Sequence, residues 1–148
     1  MPYAEILMPE KFMTNQEKST LAKSLTKILI KSEGLKDNPI SNSITLLEIK
    51  DSDTFYIGGE KGNQEKVIIK IYAFSDAFNK KTTEDLYSSI TTLFMENNEK
   101  TKSQNGRNIW CMIIPLGENG FGVGGIPITL EMTKQLVSSY KNTLASNV

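Results

Sequence analysis

The sequence predicts an α/β fold made from a duplicated βαβ unit, and three observations carry the prediction. Two polar capping patterns, Thr14-Asn-Gln-Glu17 and Thr82-Thr-Glu-Asp85, each precede an apolar stripe of identical spacing. Apolar runs of strand length flank each stripe. Each unit closes on an aromatic residue and a glycine pair, Phe55-Tyr-Ile-Gly-Gly59 and Phe121-Gly-Val-Gly-Gly125. The expected product is one four-stranded mixed sheet with two helices on one face.

The elements follow in order. Pro2-Tyr-Ala-Glu-Ile-Leu-Met8 is apolar, bounded by Pro9, and reads as the first strand. Leu21, Leu25, Ile28 and Leu29 place apolar side chains on one side of the first helix, which Gly34 is expected to stop. Asn38-Pro39 breaks the chain again, and Ile44–Ile49 is a second strand, expected parallel to the first across the helix. Val67–Phe74 restarts the pattern, and Leu86, Ile90, Leu93 and Phe94 repeat the helical stripe. A polar stretch from Glu96 to Gly106 ends that helix, and Ile109–Ile114 is the fourth strand. Aligning the glycine pairs sets the halves 66 positions apart, which puts Pro2 on Ile68. Met132, Leu136, Tyr140 and Leu144 recur every fourth residue and predict a third amphipathic helix over 128–144. The whole is read as a single domain, with repeat one at 2–59 and repeat two at 67–125.

Composition removes several function classes. The chain has 148 residues, enough for one core. Seventeen basic residues balance 17 acidic ones, so no net field draws the chain to nucleic acid or a membrane surface. There is no His, which removes imidazole catalysis and imidazole metal ligands, and neither metal nor cofactor is expected. The lone Cys111 excludes an internal disulfide and fits a reducing compartment. No apolar run reaches membrane-spanning length and no leader pattern is seen, so a cytoplasmic protein is expected. Gly120-Phe-Gly-Val-Gly-Gly125 fits a dinucleotide fingerprint in letters. It lacks the βαβ crossover and acid that must follow, so a tight turn into a short hairpin is the better reading.

Pro2 is the candidate catalytic residue. If Met1 is removed, its nitrogen becomes a free secondary amine, whereas every other proline nitrogen in the chain is a tertiary amide. Desolvation among apolar neighbours disfavours the ammonium, and a neutral amine is a competent general base near neutrality. The plainer reading is that a second-position proline is incidental.

The order of these features resembles the tautomerase superfamily. The second half resembles the end of 4-oxalocrotonate tautomerase, and the fused length and first half resemble the cis-3-chloroacrylic acid dehalogenase group. There Pro2, Thr14, Lys18, Ala22, Lys23 and Thr26 match, as do Ile109-Trp110. The resemblance implies a homotrimer, Pro2 as base, and a small carboxylate substrate. It also shows departures: the group's activating His, Tyr and Glu fall on Leu29, Met112 and Val123. Its two carboxylate-binding arginines find no counterpart, and Lys80 or Lys81 would replace one only as a point charge, or belong to a solvated loop. Trp110, Met112 and Phe121 would wall the amine, with plain core as the alternative for Phe121.

The function expected is a cofactor-independent tautomerase acting on an enol or 2-oxo acid. Hydration and dehalogenation are disfavoured, because the positions that would activate water are apolar. The alternative is a binding or structural module that keeps the fold with catalysis weak or lost.

Overall fold

The computed structural model describes residues 2–62 and 65–141. Strand β1 (Tyr3–Pro9) leads to helix α1 (Asn15–Ser32), a short helix α2 (Pro39–Ser43) and strand β2 (Leu46–Ser52). A hairpin of β3 (Tyr56–Ile57) and β4 (Glu60–Lys61) ends the first half. The second half runs β5 (Val67–Phe74), a 3-10 turn at Ser75–Ala77, α3 (Lys80–Asn97), α4 (Glu99–Ser103) and β6 (Ile109–Leu116). A second hairpin, β7 (Gly122–Val123) and β8 (Ile126–Pro127), precedes α5 (Leu130–Ser138).

The sheet order is β2-β1-β5-β6. Within each half the strands pair in parallel, β1 with β2 and β5 with β6, because a helical crossover returns the chain to the same end of the sheet. The halves meet through the antiparallel pair β1–β5, with Ile6 opposite Ile69. This is the four-stranded mixed sheet that the duplicated βαβ pattern predicts.

The alternation of β1 buries Ala4, Ile6 and Met8, and that of β5 buries Val67, Ile69, Ile71 and Ala73. These side chains meet the stripes of α1 (Leu21, Leu25, Leu29) and α3 (Leu86, Ile90, Leu93, Phe94), forming one core between sheet and helices. The other sheet face is mixed: Glu5 and Lys70 share a rung of the central strands, and toward the edge strand β2 Tyr3 Oη donates to Glu48 Oε2 at 2.8 Å while Lys50 pairs with the same carboxylate at 3.1 Å. Its exposed large apolar groups, Leu46, Trp110 and Met112, lie on the flanking strands, while Leu7 and Ile68 share a rung of the central strands and are half-buried.

The repeat is corrected in one respect. Thr14 and Asn79 cap the two long helices, and Leu21, Leu25, Ile28 and Leu29 align with Leu86, Ile90, Leu93 and Phe94, each pair 65 positions apart, as 79 is from 14. That offset sets Pro2 on Val67, not Ile68. The 66-residue offset holds only at the glycine pairs of the hairpins, Gly58-Gly59 and Gly124-Gly125, all at positive φ. A shift by one residue inverts the faces of a strand, so the helix-facing side chains settle the question.

Three further elements differ from expectation. The Asn79 side chain accepts the Thr82 N–H at 3.0 Å while the Asn79 N–H donates to Thr82 Oγ1 at 2.8 Å. The α3 capping box therefore opens at Asn79, not Thr82, and Lys80 and Lys81 lie in the first helical turn and not in a loop. Asn38 and Pro39 do not simply interrupt the chain: Asn38 caps α2 by accepting from Ile40 and Ser41, with Pro39 at the first helical position. The third helix, expected over 128–144, spans Leu130–Ser138, with Leu144 outside the described residues. Among the described residues no helix is long and apolar enough to cross a membrane.

Candidate active site

Pro2 precedes β1, one of the two central strands, and is buried. Its carbonyl accepts the Leu46 N–H at 3.2 Å, which ties it to the start of β2. On the other side, Tyr3 pairs with Tyr72 in the antiparallel ladder, and the next rung sets Pro2 opposite the fully buried Ala73. The residue is therefore held between two neighbouring strands at the end of the sheet where β5 and β6 finish.

That end of the sheet is shaped by loops. A cleft of about 360 Å³ opens there, lined by Phe74, Asp76, Leu116, Glu118, Asn119 and Leu130 among others. Phe121, half-buried, packs edge-on against Phe74 with ring centroids 6.0 Å apart. Of the apolar wall residues expected from sequence, Phe121 is the one brought to the end of the sheet that holds Pro2.

Trp110 and Met112 lie elsewhere within the chain. Trp110 shares a rung with Ile68, which pairs with Leu7, so it sits near the far end of the sheet on the face opposite Pro2. There it is 57% exposed, with the Lys66 ammonium 5.3 Å from its ring centroid. Met112, on the rung of Lys70 and Glu5, is on that same open face.

Lys80 and Lys81 start α3 at the Pro2 end of the sheet, but their side chains are 91% and 84% exposed and pair with Glu84 and Asp85 one turn on. Such exposed pairs are worth little, about 0.3–0.5 kcal/mol, so they restrain the lysines weakly. Leu29, where the dehalogenase group carries a His, is fully buried core. Val123 is exposed on the second hairpin.

Sequence reasoning missed Glu33. It caps the C-terminal end of α1 and is 1% exposed. Its Oε1 accepts the Phe74 N–H at 3.4 Å, so the carboxylate reaches the residue after Ala73, the rung partner of Pro2. A signal was present: an acid at a helix C-terminus opposes the macrodipole and needs another reason to be there. Asp76, from the turn after β5, and Glu118, from the turn after β6, both line the cleft.

Comparison with known proteins gives a consistent picture. Residues 1–104 match the family model described as "Putative oxalocrotonate tautomerase enzyme". No curated protein matches the chain in sequence. Among solved structures, a member of the cis-3-chloroacrylic acid dehalogenase family superposes with a TM-score of 0.70 at 10% identity, covering 96% of this chain and 94% of that one. A wild-type fused 4-OT, solved as an asymmetric trimer, gives 0.69 at 13% identity, covering 84% and 94%. The macrophage migration inhibitory factor-like protein of Entamoeba histolytica gives 0.64 at 21% identity, covering 86% and 98%. At these identities the likeness is one of fold.

Proposed function

The chain belongs to the oxalocrotonate tautomerase family, and from that premise we propose that it is a tautomerase whose base is the amine of Pro2, exposed by removal of Met1. The observation that carries the proposal is the burial of Pro2 between β2 and β5, at the end of the sheet where the cleft opens. A base must be held in one place and shielded from bulk water, and a strand start locked by neighbours on both sides meets that need. The amine takes the proton from the hydroxyl of an enol and a proton is returned to the neighbouring carbon, leaving the keto form. That chemistry calls for no cofactor.

The substrate class proposed is an enol or 2-oxo acid. Lys80 and Lys81 can hold a substrate carboxylate only by leaving Glu84 and Asp85 and turning toward the cleft. Phe121 supplies an apolar wall from within the chain. Trp110 and Met112 serve the site only if a neighbouring copy presents its open sheet face, so their role goes with the proposal of a homotrimer. A cytoplasmic setting is proposed from composition alone.

The test is enol-to-keto conversion of phenylenolpyruvate or 2-hydroxymuconate by protein whose intact mass shows Met1 removed. Pro2→Ala is expected to lower kcat/KM by about 10²–10⁴, the usual contribution of a positioned base. Full activity in that variant would place the base elsewhere. Little halide is expected from 3-chloroacrylate, because Leu29 is core and Met112 and Val123 carry no group that activates water.

A second reading, a non-catalytic module, is favoured by one observation: the two lysines that would bind a carboxylate face solvent. Met1 retained throughout in protein from the native host would support it, since the Pro2 nitrogen would then be an amide.

A further inference from the structure

The stripe of Met132, Leu136 and Tyr140 that predicts α5 is not the side that the helix buries. Leu130, Thr133 and Val137 are buried, and Val137 packs with Ile30 and Leu35. Met132, Leu136 and Tyr140 stay 42%, 52% and 38% exposed. Met132 and Leu136 are one turn apart, and Tyr140 follows the last turn. The helix therefore carries two apolar sides, one against the core and one in water.

The residues of the outer side are complementary to a second copy of themselves. A two-fold contact sets residue i against residue j and j against i. An antiparallel pair of α5 helices centred on Leu136 brings position 132 level with 140 and position 131 level with 141. Those positions hold Met132 and Tyr140, a thioether and an aromatic ring that attract, and Glu131 and Lys141, which are opposite charges. Each match occurs twice in the contact. Antiparallel order also brings the N-terminus of each helix to the C-terminus of the other, where the macrodipoles attract. Parallel order would set Glu131 against Glu131 and Lys141 against Lys141. Both charges are exposed, and Glu131 accepts from Gln135 of its own helix at 3.3 Å. Lys134, the remaining charge on α5, brings its ammonium beside Gly34, at the end of α1. A lipid surface suits the stripe less, because an acid and no band of lysines flanks it.

We propose that α5 is a self-association face on which a second copy of the chain seats its own α5, antiparallel and centred on Leu136. The contact doubles whatever assembly the open sheet face makes, one chain to two or three to six. A nine-residue helix is about 13 Å long. One pair of them falls short of the roughly 1,200 Å² of a stable interface, so the contact is weak, with a Kd of about 10 µM to 1 mM.

The experiment is sedimentation of the full-length protein over a concentration series spanning that range. The wild-type mass is expected to double across the series. Leu136→Asp sets two carboxylates at the centre and should show no doubling. Leu136 is half exposed, so the variant should fold, which its Tm checks. Glu131→Lys and Lys141→Glu should each weaken the doubling at least fivefold, since each turns two attractions into two repulsions. The protein carrying both reversals should recover to within about twofold of wild type, a rescue that a merely structural loss does not give. A wild-type mass that stays constant over the series overturns the proposal. So does doubling that survives Leu136→Asp, or a doubly reversed protein that associates no better than the single variants. Should Leu136→Asp not fold, the two reversals and their combination decide alone.

Discussion

Cys111 lies on the helix-facing side of β6, on the rung of Ile69 and packed against the core. Burial disfavours the thiolate and pushes the thiol up to about 12. The thiolate is the nucleophile, so alkylation by iodoacetamide at pH 8 should run more than about a hundredfold slower in the folded protein than after denaturation. A rapid native reaction would show the thiol to be accessible. The same shift has a stability consequence. The unfolded thiol titrates near 8.5, so folding is indifferent to Cys111 below that pH. Above it the unfolded chain loses its proton first, and stability declines as pH climbs from about 8.5 toward 12.

At the scale of the element, the cap of α3 decides what Lys80 and Lys81 can do. Asn79 satisfies the Thr82 N–H, and Thr82 Oγ1 accepts in return from Asn79. Helix therefore begins at Lys80, and the two lysines fall one turn from Glu84 and Asp85. Asn79→Ala should cost about 1 kcal/mol, the usual value of an N-cap, while Thr82→Ala should cost less because the backbone bond to Asn79 survives. Chemical denaturation of the two variants checks the order. A larger loss at Thr82 would return the cap to that residue.

For the whole molecule, the helices cover one face of the sheet and the other is open. That face carries a Tyr3–Glu48–Lys50 network between β1 and the edge strand β2, and exposed Leu46, Trp110 and Met112 on its flanking strands. An open face with apolar flanks is better covered than left in water, and the proposed homotrimer would cover it. Sedimentation at micromolar concentration is expected to show three chains, and Trp110→Asp is expected to weaken that assembly. A stable wild-type monomer would leave Trp110 and Met112 with no part in the site.

Local pattern alone was enough for the duplicated βαβ, the stripes of α1 and α3, the Thr14 cap and the hairpin glycines, because each rests on residues close together in sequence. Strand alternation and helical spacing report faces directly. The family was legible from the order of those motifs together with Pro2. The 65-residue offset was present in the helix stripes, yet it becomes decisive only when β1 and β5 show which side chains meet the helices. Glu33 carried only a faint signal, an acid in the unfavourable place at the end of Ser32-Glu33-Gly34. Only the packing of that end against Phe74 buries its carboxylate. Trp110 and Met112 were read beside Pro2 by family likeness, but the sheet sets them on its other face. Face and distance across a sheet depend on pairing between strands far apart in the chain, and no local pattern encodes that pairing.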